Sequence, residues 1–338
     1  MLIARAPVRV SFFGGGTDLP AYYLQYGGSV LSTTINKYVY VIMNVSEQNV
    51  LQITSSDYQT FYRHPPGEPL LWDGDLSLPR AVLHHFGVEH GVSLFLASEV
   101  PPGTGLGSSS SVMVALIKAV SAARGMKLSK AQVAEMAVQI ELEKMGNPIG
   151  VQDQYAAAFG GLNCFTFDSA GIHAEPIDLP ATTLKQLESN LLLIFTGSAR
   201  DSAEILSRQT QASQQRDPIV IEALQAVHEL SRRARDYLVN SEVDQFGALL
   251  HEAWQHKKRF AAGVTNARID QVYELALRHG ALGGKITGAG GGGFLMLYCP
   301  ADTIERVAGA LADEGLRRME FRFEQDGARV LFNAGLRL

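Results

Sequence analysis

The stretch "PPGTGLGSSSSVMVALIKAV", residues 101–120, decides the fold, because a glycine-rich loop runs directly into an apolar, helix-forming run. In residues 101–107, here called the first glycine loop, every second residue from Gly103 is glycine, and four serines follow. Glycine lets main-chain N–H groups approach a ligand, and a helix N-terminus offers unpaired donors and partial positive charge. We therefore expect an anion there, with one serine hydroxyl available to a phosphate-bound Mg²⁺. The alternative is a flexible loop with a serine N-cap. The loop is not a Walker A motif, because no Gly-Lys-Ser/Thr follows the glycines.

A further glycine-rich segment is "KITGAGGGGFLMLY", residues 285–298. Gly288, Gly290 and Gly293 match G-x-G-x-x-G, but a dinucleotide-binding fold requires a helix immediately afterwards. The run "FLMLYC" is typical of a strand instead. We therefore interpret residues 288–293, here called the second glycine loop, as a hairpin that approaches a ligand closely, with a plain tight turn as the alternative.

The N-terminal segment "APVRVSFFGGGTDLPAYY", residues 6–23, places a charge on each side of a glycine turn. Arg9 lies in a strand pattern among apolar neighbours, and Asp18 ends the turn. Taken alone, Asp18 is either a turn former or a ligand-binding residue.

The stretch "IELEKMGNPIGVQDQYAAAFGG", residues 140–161, contains three acidic residues, of which Glu141 and Asp153 are the candidate functional carboxylates. Glu141 falls on the apolar stripe of a helix predicted over 129–144, where a charge requires a cation or a metal. The alternative is an ion pair with Lys144. Asp153 lies in the first turn of a predicted short helix, where the helix dipole favours its ionised form. It could equally be an ordinary N-terminal helix acid.

Length and composition limit the classes of protein that remain. A chain of 338 residues predicts two domains, and the net charge of −5 argues against non-specific binding to nucleic acid or membranes. The two cysteines show neither metal-ligand spacing nor a disulfide framework, and the N-terminus is typical of a strand rather than a signal peptide, so we expect a cytoplasmic protein. The histidines predict no metal site beyond nucleotide-bound Mg²⁺. A homodimer is compatible with the sequence, which does not decide the oligomeric state.

The pattern of elements predicts an α+β protein. Helices are expected over 109–124, 201–239, 242–262, 268–279 and 302–314. Between and after them we expect strands, including 283–287, 293–299 and two near the C-terminus.

The order "APVRV…GGGTD", "PPGTGLGSSSS", "E…NPIGVQDQ", "KITGAGGGG" resembles the GHMP kinases, the superfamily of galactokinase, homoserine kinase, mevalonate kinase and phosphomevalonate kinase. The "GVQDQ" spacing is similar to the sugar-kinase branch, where galactokinases have Gly-Ile-Met-Asp-Gln. The turn "GGGTD" departs from the galactokinase Gly-Glu-His-Thr-Asp. The segments "GGGTDLPAYY", "VQDQYAAAFGG" and "FTGSARDSAEI" resemble most the D-glycero-D-manno-heptose 7-phosphate kinases, with fucokinase-like enzymes nearby.

The resemblance implies an ATP-binding N-terminal domain over 1–185, like the second domain of ribosomal protein S5, and a ferredoxin-like α+β C-terminal domain over 186–338. It implies Mg²⁺ on Ser109 and Glu141, with Asp153 as base or orienting carboxylate and Arg9 beside it. The implied ATP-binding residues are Pro102, Gly103, Thr104, Gly105, Leu106, Gly107, Ser108, Ser109 and Ser110. The implied sugar-binding residues are Gly15, Gly16, Thr17, Asp18, Gly288, Ala289, Gly290 and Gly291.

A phosphorylated sugar needs a second anion site away from the ATP loop. Arg200, which follows a predicted buried strand, is the first candidate, and Lys257 or Lys258 in "HKKRF" is the second. The expected activity is transfer of the ATP γ-phosphate to the anomeric hydroxyl of a heptose 7-phosphate. The alternatives are a fucokinase-like or other sugar 1-kinase, and a non-catalytic ligand-binding protein of the same fold.

Overall fold

The structure is a computed structural model that describes residues 1–46, 49–65, 67–197 and 202–338. Its strands are β1 (Leu2–Phe13), β2 (Gly28–Val45), β3 (Gln52–Ser55), β4 (Thr60–Arg63), β5 (Val92–Ser98), β6 (Leu162–Asp168), β7 (Gly171–Pro176), β8 (Leu191–Phe195), β9 (Gly283–Ile286), β10 (Phe294–Tyr298), β11 (Arg317–Met319), β12 (Phe323–Glu324) and β13 (Arg329–Asn333).

The helices fall into two groups. Those in the N-terminal half are α1 (Pro20–Tyr26), α2 (Ser77–His85), α3 (Ser108–Ala123), α4 (Lys130–Val138), which continues as a π-helix over Gln139–Lys144, α5 (Gln152–Phe159) and α6 (Ala181–Ser189). Those in the C-terminal half are α7 (Ser202–Gln214), α8 (Pro218–Val239), α9 (Val243–Lys257), α10 (Ala267–Arg278) and α11 (Ile304–Asp313). Among the helices described, none is both long and apolar enough to cross a membrane.

The first sheet has the strand order β13-β1-β2-β5-β3-β4, and β2 also pairs with β6 and β12. The long strand β2 runs antiparallel to β1, and this pairing places Arg9 opposite Thr34. Helix α3 packs across β1 and β2, and its apolar residues are almost all buried, as its composition requires. The start of α3 is thereby held at the end of β1 that carries Arg9, where the main-chain N–H of Arg9 donates to Leu106 O at 3.0 Å.

The second sheet has the order β11-β8-β10-β9, with every neighbouring pair antiparallel. This order is the 4-1-3-2 order of a ferredoxin-like sheet, with β8 as its first strand, β9 as its second, β10 as its third and β11 as its fourth. Its apolar residues, with those of α8 to α11, form a core of their own that includes Trp254 and Leu297. The short β9–β10 connection is the second glycine loop, as the sequence predicted.

The predicted domain division at residue 185 does not describe the end of the chain. Strands β12 and β13 pair with β2 and β1 of the first sheet, so this part of the predicted second domain lies with the first. A later segment can complete an earlier sheet because strand pairing depends on exposed edges rather than on position in the sequence.

Local signals explain where the helix predictions were right and where they were not. Ser129 and Gln132 form the predicted capping box at the start of α4. The single helix predicted over 201–239 is two helices, because Asp217 caps a new helix whose first residue is Pro218. Helices α1, α2 and α6 were not predicted, since each is short and begins without a side-chain cap.

Candidate active site

The two glycine loops lie against each other and form one wall of a cleft. A Cβ on Gly105 would lie 2.5 Å from the Thr287 carbonyl oxygen, and one on Gly288 would lie 2.6 Å from Gly105 Cα. The Thr287 hydroxyl donates to Thr104 O at 3.0 Å and fixes the contact. Glycine is required at these positions because any side chain would separate the loops.

Helix α3 begins at this wall with its first N–H groups uncapped by a side chain. Gly107 is the N-cap residue, with φ of +76°, a conformation that favours glycine. Ser108 and Ser109 follow it and line the cleft. The helix therefore presents main-chain donors and hydroxyl groups to the cleft, an arrangement that binds anions.

Arg9 and Asp153 form a bidentate ion pair in the cleft. Arg9 Nε donates to Asp153 Oδ1 and Arg9 Nη2 donates to Oδ2, each at 2.7 Å, while Nη1 donates to Gly105 O at 2.6 Å. The Arg9 side chain is 5% exposed and that of Asp153 is 22% exposed, so the carboxylate retains access to the cleft. The two hydrogen bonds from Arg9 thus fix the orientation of the Asp153 carboxylate.

Asp18 is buried in the same cleft beside the N-terminal glycine turn. It accepts hydrogen bonds from the main-chain N–H of Gly16 at 2.8 Å and from Gln152 Nε2 at 3.0 Å. Burial, and then the charge of Asp153, raise the pKa of Asp18 above its usual value. A Cβ on Gly150 would lie 1.9 Å from Asp18 Oδ2, so the motif that carries Asp153 also makes room for Asp18.

Glu141 enters the cleft from the π-helical segment that ends α4. The wider turn is a local irregularity of a kind frequent at functional sites. The carboxylate is buried, accepts from Ser110 Oγ at 3.3 Å and from Gln154 Nε2 at 2.5 Å, and has no cation at ion-pair distance among the described residues. Burial raises its pKa to about 7. The alternative pair with Lys144 is absent, since that ammonium contacts His85.

These ligands suit Mg²⁺, which prefers oxygen donors and few protein ligands. A buried carboxylate without a cationic partner would gain one by binding the metal, and a serine hydroxyl is beside it. Ser110 is the serine whose hydroxyl contacts Glu141, and Ser109 as a metal ligand stays a prediction. Successive helix residues point about 100° apart, and Ser109 is exposed at the mouth of the cleft.

Lysines approach the cleft from the second sheet and its helices. Lys257 lines the cleft, and its Nζ donates to the carbonyl oxygens of Ile286 and Gly288. Lys258 does not, because it points to Asp270 at 3.7 Å and lies over the Trp254 ring. Of the two lysines proposed for an anion site, only Lys257 is therefore in position.

The sequence analysis missed several cleft residues, of which Lys285 is the most informative. It is 4% exposed and lines the cleft, three residues before Gly288 at the start of the second glycine loop. Its position next to "ITGAGGGG" was the available signal. Gln152, which holds Asp18, was likewise missed although it adjoins Asp153.

Three residues predicted to bind substrate face away from the cleft. The Thr17 hydroxyl donates to Gly14 O at 2.7 Å and is fully buried, so it stabilises the glycine turn. A Cβ on Gly290 would lie 2.7 Å from Val264 O, and Gly291 N donates to that same oxygen at 2.8 Å. Both glycines therefore serve contacts within the protein. Gly288 and Ala289 line the cleft.

Within the first glycine loop, two side chains do not face the cleft. Leu106 is buried in the core, and the Thr104 hydroxyl donates to Pro101 O at 2.8 Å. Only their main chain can reach a nucleotide. The remaining predicted residues that line the cleft are Gly15, Gly16, Gly103, Gly105, Gly107, Ser108, Ser109 and Ser110.

A second cavity adjoins the cleft at Ser108 and Ser109. It has a volume of about 430 Å³, within the range of small-molecule sites. Pro102, Tyr58 and Leu76 are among its lining residues. Ser108 and Ser109, at the start of α3, therefore line both the cleft and this second cavity.

Two further predictions stay predictions. Arg200 lies outside the described residues. In the described ranges no group of three or more His, Cys, Asp or Glu side chains could hold a metal ion, and the expectation of no protein-only metal site is not tested by this.

Comparison with known proteins identifies the class to which this site belongs. The family description "GHMP kinases N terminal domain" matches residues 77–161, and "GHMP kinases C terminal" matches residues 234–316. These ranges contain the first glycine loop, Glu141, Asp153 and the second glycine loop. The chain belongs to the GHMP kinase family and is a phosphotransferase that uses an alcohol group as acceptor.

Within that family, the similar proteins include sugar kinases. The D-glycero-alpha-D-manno-heptose 7-phosphate kinase of Campylobacter jejuni is 29% identical over 331 residues, which is 96% of this chain and 97% of the relative. The crystal structure of a D-glycero-D-manno-heptose 1-phosphate kinase from Bacteroides thetaiotaomicron has a TM-score of 0.81 and 28% identity, and the match covers 98% of this chain and 99% of the other. The bifunctional fucokinase/GDP-fucose pyrophosphorylase of Arabidopsis thaliana is 28% identical over 86% of this chain, but the match covers only 29% of that protein.

Proposed function

We propose that the protein transfers the γ-phosphate of ATP to the anomeric hydroxyl of a sugar phosphate, D-glycero-D-manno-heptose 7-phosphate, and produces the 1,7-bisphosphate. The C. jejuni relative acts on heptose 7-phosphate by its name, and the match spans nearly the full length of both chains. The B. thetaiotaomicron relative is named for a heptose phosphate as well. The cytoplasmic location and a homodimer remain predictions from the sequence.

The observation that carries the proposal is the Arg9–Asp153 pair. It holds a carboxylate at a fixed orientation between the start of α3 and the buried Asp18. A hydroxyl hydrogen-bonded to Asp153 would face a phosphate bound at the first glycine loop. Positioning of this kind supplies much of the catalysis in phosphoryl transfer.

The reaction follows from these positions. The hydroxyl oxygen bonds to the γ-phosphorus, the bond from that phosphorus to the β,γ-bridging oxygen breaks, and ADP leaves with the electron pair. Asp153 accepts the hydroxyl proton late in this step or holds the hydroxyl in line. The main-chain N–H groups of the first glycine loop, and the donors at Ser108 and Ser109, bind the triphosphate, with the nucleoside in the adjoining cavity.

Glu141 and the serines at the start of α3 would hold Mg²⁺, which neutralises phosphate charge when bound. Asp18 would accept hydrogen bonds from sugar hydroxyls, supported by the fixed donors from Gly16 and Gln152. Arg200 remains a predicted ligand of the sugar's own phosphate. Replacing Arg200 with alanine should raise KM for a phosphorylated sugar more than for its unphosphorylated analogue.

The direct experiment is a screen of purified protein with ATP, Mg²⁺ and a panel of hexoses and heptoses, each with and without a terminal phosphate. Mass spectrometry should detect a heptose 1,7-bisphosphate, and the same reaction with Asp153→Asn serves as the control. Phosphorylation of unphosphorylated sugars alone would contradict the substrate assignment. Failure to phosphorylate any sugar would contradict the proposed function.

A fucokinase-like activity is the second candidate, because the Arabidopsis match covers most of this chain. The same screen distinguishes it, since L-fucose carries no phosphate. Turnover of L-fucose at a higher kcat/KM than any sugar phosphate would favour this alternative.

A further inference from the structure

Two buried lysines, Lys257 and Lys285, converge on the acceptor side of the cleft from different elements. Lys257 is the last residue of α9 and is 6% exposed, while Lys285 lies in β9 and is 4% exposed. Both line the cleft that contains Arg9 and Asp18. Local packing does not require a lysine at either position. An apolar side chain could fill the same interior space without the cost of burying a charge.

Among the described residues, neither lysine has an acidic side chain at ion-pair distance. Lys257 Nζ donates to two neutral acceptors, the carbonyl oxygens of Ile286 at 2.9 Å and Gly288 at 2.5 Å. Lys285 Nζ has no hydrogen-bond or ion-pair partner within the part of the chain that the structure describes. A buried ammonium without a partner is costly, so a ligand that supplies negative charge would be favoured.

The electrostatic surroundings of both lysines favour the binding of an anion. Burial lowers the pKa of Lys257 to about 7 and lowers the pKa of Lys285 well below its usual value. The charges of Arg9 and, for Lys285, of Lys257 lower these pKa values further, while Asp18 raises both. Because Asp153 already pairs with Arg9, Asp18 is the described carboxylate that favours the charged forms of both lysines. A bound phosphoryl group would add negative charge beside them and favour the protonated ammonium forms further.

Contacts within the cleft place the lysines beside residues predicted to bind the sugar. Lys257 Nζ donates to the carbonyl oxygen of Gly288, and both lysines line the cleft together with Asp18. The lysines therefore lie towards the residues proposed to hold the sugar. Lysine is a point charge suited to a phosphate oxygen, and two of them match a phosphate dianion.

We propose that Lys257 and Lys285 form a cationic subsite that binds a phosphoryl group carried by the acceptor. The inference rests on the proposed kinase function and makes it more specific, because it assigns the acceptor's phosphate to two residues of the second sheet and its helices. Lys257 also positions the second glycine loop through its two carbonyl contacts. Lys285 is the residue whose charge is free for the ligand.

The test compares Lys285→Met with the wild-type protein, using D-glycero-D-manno-heptose 7-phosphate and the unphosphorylated heptose as acceptors. We expect KM for the phosphorylated sugar to rise about 10- to 100-fold, the scale of a charged hydrogen bond. KM for the unphosphorylated heptose and for ATP should change less than about twofold, and Lys285→Arg should recover most of the loss. Lys258→Met is the matched control, since Lys258 lies outside the cleft.

The KM values of Lys285→Met and wild type for the two acceptors either support or overturn the cationic subsite. An equal rise of KM for both acceptors, or a rise confined to ATP, would overturn the subsite. If the wild-type protein phosphorylates no sugar, the proposed function fails, and calorimetric titration with inorganic phosphate then decides the subsite by itself. Tighter phosphate binding by wild type than by Lys285→Met supports it, and equal binding overturns it. Lys285→Gln replaces Lys285→Met in every comparison if thermal melting shows that the methionine variant is unfolded.

Discussion

Replacement of Glu141 with glutamine should stabilise the metal-free protein at neutral and alkaline pH while removing its response to Mg²⁺. Burial raises the pKa of this carboxyl from 4.5 to about 7. One pKa unit corresponds to about 1.4 kcal/mol, so ionised Glu141 costs the folded state about 3 kcal/mol at pH 8. The glutamine amide carries no charge. It could donate to Gln154 Oε1, a buried atom without a partner among the described residues, if that side chain rotated.

The pH dependence has a definite sign. The folded-state pKa lies above the unfolded-state value, so between about pH 4.5 and 7 the folded protein holds a proton that the unfolded chain has released. This contribution to stability is present at low pH and is lost as the pH rises through 7. Glu141→Gln has no titrating group at this position and therefore lacks this pH-dependent contribution to stability. The difference in unfolding free energy between variant and wild type should therefore grow from less than about 1 kcal/mol at pH 5 to about 3 kcal/mol at pH 8.

The assay is urea unfolding of both proteins in a chelating buffer at pH 5, 6, 7 and 8. Glu143→Gln is the matched control, because Glu143 is exposed in the same π-helical segment and should show no such trend. Adding Mg²⁺ and ATP should stabilise the wild type far more than Glu141→Gln. A stability difference that does not vary with pH, or a destabilised variant at pH 8, would refute the reasoning.

Three other substitutions test the cleft. Asp153→Asn should lower kcat about 100-fold or more with little change in KM for ATP, and steady-state kinetics showing a full kcat would exclude the proposed role. Gly150→Ala should lower kcat/KM for the sugar about tenfold or more, because the added Cβ would lie 1.9 Å from Asp18 Oδ2 and displace that carboxylate. Unchanged kinetics would show that the position of Asp18 does not matter for activity. Gly288→Ala should lower the unfolding free energy by more than about 1 kcal/mol, measured by urea unfolding, because φ there is +63° and the added Cβ would lie 2.6 Å from Gly105 Cα.

Several features of the site were predictable because they depend on a few neighbouring residues. The alternating glycines and the serines identified the start of α3, and the structure has that helix at Ser108–Ala123. The spacing of Ser129 and Gln132 identified a capping box. Asp153 was expected in the first turn of a short helix, where it lies. In each case backbone conformation and local hydrogen bonds fix the structure.

Other features could not be predicted because they depend on contacts between distant segments. Thr17 was assigned to substrate, but packing of its turn against β2 occupies its hydroxyl with Gly14 and Ser29. Lys285 belongs to an apolar-looking strand, and although the neighbouring glycine motif was a local signal, only the packing of β9 in the second sheet brings the residue to the cleft. The resemblance to a family supplied residue roles that neither periodicity nor composition contains.

The sequence by itself determined where the chain must turn, where helices start and which segments can approach a phosphate, because glycine, serine and capping residues act through their own backbone. Only the tertiary structure decided which charges meet. Arg9 and Asp153 are separated by 144 residues and become a bidentate pair when α5 packs beside β1. Lys257 and Lys285 join them through a different sheet. The physical reason is that burial and Coulomb interactions depend on distance in space, which is fixed by strand pairing and helix packing across the whole chain.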